Sequence, residues 1–448
     1  MTALYILFVF LLFAALMISR KMPALLAVPL MAVLIALGVE LPYLNIGDGV
    51  EGFIGNLPDV TAAVKNILTN VISAGAIKLA SAYMAVVAGA MLGRVMIQTG
   101  IAEGIIKKAA EFGGEKPLVV SIFLMFITAV LFTSLTGLGA IIMVGSLVLP
   151  IMMSLGVPRR LAGTFFLLAF ATGFIFNISL LQFYREILGV VGDGLPPEVF
   201  HFQLLLLGIM SLGVAAYVFY TSRKTPELKF MKGGSFGEEK AKSSEPPAIA
   251  YLTPLIPLIL YFGFSQYGWT AIPAFIAGSV FAVVVTDIRK SIQNLVASMI
   301  KGVEDAAPAV ILMVGIGMLI NALQLPGVKG ALMPIFSNLP IGNSFSFVAF
   351  FFILSPLALY RGPFNLFGLG AGLFALIVSG GGAPPLAVLS VAMTLVQMQN
   401  VCDPTNTHNV WIANSVGVPV EDLTKSTFLT MVAVCLAGLA AGAFLFIP

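Results

Sequence analysis

The sequence predicts an all-α polytopic membrane protein built from two inverted repeats, each with about five spans plus a re-entrant hairpin and a broken helix. Three observations predict it. Of 448 residues, 59% are hydrophobic and 10% charged, with a mean hydropathy of +1.05, so the solvent is lipid. Apolar runs able to cross a hydrocarbon core, about 20 residues at 1.5 Å rise each, recur from one end of the chain to the other. A short motif also returns in the second half with its neighbours in the same order.

Taken in order, the apolar runs lie at 3–19, 23–42, 73–98, a long stretch 117–154, 161–184 and 203–221, then 250–263, 270–286, 306–325, a long stretch 345–380, 386–404 and 425–446. The first lacks a basic n-region and a small-residue cleavage site, so it reads as a retained span. Cys402 and Cys435 have no paired spacing, which supports neither a disulfide framework nor a zinc site. The net charge of +3 is scattered through short loops and gives no footprint for nucleic acid.

Basic residues in short loops stay cytoplasmic. Arg20 and Lys21, Lys107, Lys108 and Lys116, Arg159 and Arg160, the run Arg223 to Lys242, Arg289, Lys290 and Lys301, and Lys425 share one side if each long stretch makes an even number of crossings. Lys65, Arg185 and Lys329 are isolated exceptions. The other side receives the acidic loop with Asp48, Glu51 and Asp59, the 193–198 loop, the interface pair Tyr267 and Trp269, and both termini. This places the chain in the cell inner membrane, with residues 1–221 as the first repeat, 222–249 as a polar cytoplasmic linker and 250–448 as the second repeat.

Ser134-Leu-Thr-Gly-Leu-Gly-Ala140 returns as Asn365-Leu-Phe-Gly-Leu-Gly-Ala371 at an offset of 231 residues. Met91-Leu92 with Gly100 matches Met318-Leu319 with Gly327 at an offset of 227, and Asn177 and Cys402-Asp403-Pro404 interrupt corresponding spans about 225 residues apart. Five net crossings separate the starts of the two halves, so the second sits upside down. Inverted repeats with interrupted spans point to a secondary transporter with a midplane site. An enzyme is not expected, because no P-loop, H-E-x-x-H or nucleophile elbow with partners occurs.

The centres of the long stretches carry the candidate site. Ser134, Thr136 and Gly137 in the first (117–154), and Arg361, Gly362, Pro363 and Asn365 in the second (345–380), suit hairpin tips whose irregular backbone is satisfied by protein or a water-filled cavity. Each second half-helix then starts near Gly139 or Gly368 with its positive end inward, favouring an anion. Arg361 costs at least ~2.5 kcal/mol at that depth and its fork suits a carboxylate; the plain alternative is an exposed loop between two full spans. Arg94, near a span end, reads as a snorkelling residue. Gly89 and Gly93 read as helix packing.

In the broken helices, 161–184 and 386–416, Asn177 serves either substrate and ion binding or ordinary helix packing. Asp403, directly before a proline, is the candidate proton carrier or transient sodium ligand, with Asn400 and freed carbonyls beside it. Thr405 and Asn406 are candidate substrate contacts. His408 serves either a proton relay or the interface at the cytoplasmic mouth.

Hairpin with a polar tip, proline-marked exit at Leu149-Pro150, short basic turn and interrupted span, all repeated, resembles the ion transporter superfamily of organic-anion and cation transporters. The Tyr360-Arg361-Gly362-Pro363 tip is similar to that of the citrate-metal-proton symporters, and the overall length to that of the gluconate permeases. The resemblance implies a homodimer that moves a small organic anion, such as citrate, another carboxylate or a sugar acid, by an elevator motion coupled to protons or sodium, with no other cofactor. A sodium/proton or other ion antiporter is the alternative. The Ser-Asn-Thr tips of the sodium-dicarboxylate branch are absent here.

Overall fold

The computed structural model describes residues 2–19, 21–41, 57–114, 116–189, 196–228, 246–286 and 288–447. Arg20, Asp48, Glu51, Asp193 and most of the expected linker lie outside the described residues. Every described regular element is helical. The first half contains α1 (Thr2–Ile18), α2 (Ala24–Glu40), α3 (Leu57–Asn66, continued by a π-helical turn to Ser73 and by Ala74–Ala76), α4 (Ala80–Gln98), α5 (Ile101–Gly113), α6 (Pro117–Phe132), α7 (Leu138–Ser154), α8 (Arg159–Phe174), α9 (Ile178–Leu188) and α10 (Pro197–Lys224). The second contains α11 (Leu255–Gly263), α12 (Ala271–Val285), α13 (Ile288–Gln324), α14 (Pro326–Phe336), α15 (Ser344–Leu354), α16 (Ala371–Ser379), α17 (Pro385–Cys402), α18 (Thr407–Val416) and α19 (Val420–Phe446).

The order of elements repeats. Two spans are followed by one long run (α3 with α4, or α13), a short helix (α5 or α14), a pair of helices shorter than a full span (α6 and α7, or α15 and α16), an interrupted helix (α8 and α9, or α17 and α18) and a last span (α10 or α19). The long runs were read too short, as 73–98 and 306–325. Residues 59–98 form one apolar run of 40 residues, and among the described residues five helices are long and apolar enough to cross a membrane.

The halves interlock. The long run α13 crosses α4 and α2, and the approach is close because Gly302 lies on the Cα of Met91, Gly315 on Pro29 and Gly317 on Gly75. In the other layer, α9 packs on α16 and α18 packs on α7, so each half lends the end of its interrupted helix to the other half's hairpin. The first limbs α8 and α17 are central. Every residue of α17 from Ala387 to Cys402 is buried, whereas α10 and α19 leave Leu212, Leu429 and Phe444 more than 70% exposed, as a lipid-facing surface does.

Candidate functional site

The first long stretch is a helix pair of 16 and 17 residues joined by a tight tip, not two full spans. The tip is inside the protein: Ser134 and Leu135 are fully buried and Thr136 nearly so. Gly137 makes the turn at φ +89, a conformation that strains any residue with a Cβ, and α7 begins at Leu138. Buried hydroxyls need partners, and each finds one on a neighbouring element. The Ser134 hydroxyl donates to the carbonyl of Pro254 (2.6 Å) and that of Thr136 to the carbonyl of Val86 on α4 (3.3 Å).

Asn177 closes this tip from the side. α8 and α9 bend by 56° across residues 175–177, and Asn177 caps α9 by accepting from the backbone N–H of Leu180 (3.0 Å). Its amide donates to the carbonyls of Phe132 (2.9 Å) and Leu135 (3.1 Å), which the end of α6 leaves open. Both amide hydrogens are thus committed to the tip. Ser179, two residues on, donates to Ala85 (3.0 Å), and Gly89 makes room on α4 for Thr136 and Ser179 together. The small-residue spacing of Gly89 and Gly93 is packing, and what packs there is the hairpin tip.

The second tip is longer and less regular. After a short 3-10 turn at Ser355–Ala358, the chain runs without regular α-helix until Ala371. Tyr360 and Arg361 both sit at φ +55, where a Cβ costs energy and where strain gathers at functional sites. Arg361 is half-buried inside the irregular segment, between the exposed Tyr360 and the buried Gly362. The second half-helix begins at Ala371 and not at Gly368, because Phe367 and Gly368 depart from helical angles. Gly362 rests on the carbonyl of Leu357 and Gly368 faces the carbonyl of Arg361.

Asp403 joins this tip to the interrupted helix. The proline that follows ends α17, and Asp403 takes extended angles with no exposed surface. Its Oδ1 accepts from the hydroxyl (2.6 Å) and backbone N–H (2.9 Å) of Thr405. Its Oδ2 accepts from the Asn365 amide (3.1 Å) and, at 3.4 Å, from the backbone N–H of Arg361. Asn365 also donates to Ala358 (3.0 Å) and accepts from Phe367 (3.1 Å), while Asn409 donates to the Asp403 carbonyl (2.8 Å). All these donors are neutral. Among the described residues no cation lies within ion-pair distance of Asp403, and no carboxylate within that distance of the Arg361 guanidinium.

The other expected residues gather at the same break. The Asn406 amide donates to the carbonyl of Gln399 (2.8 Å), and the ring of His408 pairs through Nε2 with the carbonyl of Asn400 (3.0 Å) and lies 4.9 Å from the Phe170 ring. His408 is thus half-buried, with partners on both interrupted helices. The Asn400 amide is buried, and its nitrogen has no hydrogen-bond partner among the described residues.

Sequence reasoning gives no role to Gln399 or Asp305. Gln399 holds the second tip through its side chain, accepting from Leu366 (3.3 Å) and donating to Phe364 (3.1 Å). Arg94 does not snorkel: its Nε and an Nη donate to the two oxygens of Asp305 on α13, at 2.6 and 2.7 Å. The Asp305 carboxylate lies against Gly139 at the start of α7, so the first tip also meets a carboxylate, supplied by the opposite half. Arg185, an exception in the charge count, lines a polar cavity of about 580 Å³ with Gln182, Tyr261 and Trp269.

No family model matches the sequence, and no curated protein matches it. Among solved structures the fold is similar to that of the Alcanivorax borkumensis YdaH transporter, whose crystal structure is described as showing an unusual topology. The TM-score is 0.58 and the identity 13%, over 87% of this chain and 89% of that one. A likeness at that identity is one of fold, and the fold is that of an all-helical, multi-pass membrane protein.

Proposed function

We propose that this chain is a secondary active transporter that carries a small organic anion, a carboxylate or sugar acid, together with a cation. The observation that carries this reading is a pair of unmatched charges at one tip. Asp403 is fully buried with only neutral donors, one of them the backbone N–H of Arg361, and among the described residues the Arg361 guanidinium has no carboxylate partner. A buried carboxylate without a counter-charge is costly unless it takes up a proton or a metal cation. A guanidinium in the same place is matched by an anion that its fork can hold bidentately. A cation on Asp403 and an anion on Arg361 give each charge of the tip its own partner, which favours crossing the bilayer in that state.

The repeated element order supports an inverted pair, and the resemblance implies an elevator motion of the hairpins and interrupted helices against α2, α4 and α13, on which α9 and α16 pack. That motion would exchange the Thr136 and Ser179 bonds to carbonyls of α4 and the bond from the Ala82 N–H on α4 to Glu186 on α9. The resemblance to the citrate-metal-proton symporters and gluconate permeases adds the candidate cargo. Reconstituted protein offered labelled citrate, gluconate, lactate and succinate, with and without sodium, tests it. Wild type accumulates at least one of them and Arg361→Ala does not. Undiminished uptake by Arg361→Ala would remove the anion site, and sodium/proton exchange with no anion uptake by wild type would turn the reading into an antiporter.

A further inference from the structure

The Arg94–Asp305 pair has no part in the cluster at the second tip. It links α4 to α13 across 211 residues of sequence, bidentately, one turn from a second tie in which Ser298 donates to Gln98 (2.6 Å). The pair is neither sealed nor free: the side chains of Arg94 and Asp305 are 26% and 15% exposed. Its carboxylate occupies the place that a Cβ on Gly139 would take, and a Cβ on Gly137 would stand 3.5 Å from the Asp305 carbonyl. Three elements therefore meet at one carboxylate. From α4 the charged group facing it is Arg94, and α7 has no ionisable side chain. On its own helix Glu304 acts on Arg94 through space, and Lys301 is exposed one turn earlier.

We propose that Asp305 is a second proton carrier and that Arg94 is an anion ligand which Asp305 releases on protonation, so that a cargo carboxylate replaces the Asp305 carboxylate on the guanidinium fork at the first tip. The step balances. Asp305 takes one proton from hydronium on the side of higher proton concentration, one O–H bond of hydronium breaks as one forms on Asp305 and leaves water, Arg94 keeps its charge, and one carboxylate group replaces another. The fork geometry makes the exchange like for like, since both partners present two oxygens. Release reverses it: Asp305 loses its proton, recovers Arg94 and expels the cargo. Contact with Gly139 makes the exchange visible to the hairpin, because a carboxylate that leaves Arg94 also leaves the Cα surface of α7. The inference rests on the anionic cargo proposed above, whose carboxylate meets Arg94 and Arg361 at different stages of transport and not both at once.

The test uses full-length protein in proteoliposomes and whichever of citrate, gluconate, lactate or succinate wild type accumulates. Asp305→Asn is expected to lose accumulation driven by an inward proton gradient by roughly tenfold or more, and to lose exchange at equal pH by less, because the proton step alone is removed. Arg94→Gln/Asp305→Asn, which leaves no lone charge, carries the test if the single variant does not fold, and is expected to raise the half-saturating cargo concentration by roughly tenfold as well. Gly139→Ala, which crowds Asp305 off the tip, is expected to lose accumulation likewise. Gradient-driven accumulation at the wild-type level in the folded Asp305 variants, with Arg361→Ala inactive, would overturn this inference and leave the anion reading standing. A wild type that moves none of the four anions would overturn both.

Discussion

The two hairpin tips carry nearly the same motif and are held in opposite ways. The first is a short turn at 133–137 whose left-handed residue is a glycine, and its polar groups are spent on neighbours: Ser134 on Pro254, Thr136 on Val86, Asn177 on two open carbonyls. The second runs irregularly from 359 to 370, forces Tyr360 and Arg361 into left-handed angles, and closes on a buried carboxylate. Asn177 and Asp403 stand at corresponding breaks about 225 residues apart. A neutral amide at one and an acid at the other divide the labour: the first break fastens a tip and the second holds a charge. Local stability follows the same division, since a tip bound to several elements opens less readily than one whose bonds outside itself run to α17 and the break after it.

Exchanging the two residue types is the strongest way to break this comparison. Asn177→Asp sets a carboxylate against the carbonyls of Phe132 and Leu135 and removes both donors, a buried charge without a partner that costs roughly 3–5 kcal/mol. The expected result is little folded protein, measured as monodisperse yield in detergent. A well-folded Asn177→Asp with normal uptake would show that the first break does not need a donor. Asp403→Asn is milder for the fold, because the amide oxygen still accepts from Thr405. It removes charge-assisted bonds of about 1.5–3 kcal/mol and should raise the half-saturating coupling-ion concentration roughly 10- to 100-fold. Unchanged ion dependence would move the coupling site away from Asp403.

Much of this fold is readable in the sequence because its signals are local. Apolar length marks the spans, the polar centres of the long stretches mark the tips, and Asp403 before a proline marks the second break. Asn365, Thr405, Asn406 and His408 follow from lying beside those marks. What the sequence hides is long-range pairing. Arg94 near a helix end looks like a snorkelling side chain because nothing within its own half announces Asp305, and Asp305 looks like an ordinary charge just before the span expected at 306–325. Gln399 was passed over because, among several polar residues in a row, helix phase and not type decides which one faces the tip. The short helices α5 and α14 escaped for a plainer reason: at 13 and 11 residues they are too short for a span and too apolar for a loop.

The smallest effect sharpens the comparison most finely, because it asks whether the strain at the second tip is needed. Tyr360 is 48% exposed at φ +55, so little packing is lost when its ring is removed. A Cβ in the left-handed region costs about 1–2 kcal/mol, and glycine removes that cost while adding roughly 0.5–1 kcal/mol of unfolded-state entropy. Tyr360→Gly should therefore raise stability by under about 1 kcal/mol, seen as a slightly higher thermal unfolding midpoint. Uptake is the informative readout. If the left-handed pair holds the Arg361 N–H on Asp403, a glycine that visits other angles weakens the 3.4 Å contact and lowers uptake although the protein is no less stable. If stability and uptake rise together, the strain is incidental, and the second tip differs from the first only in its carboxylate.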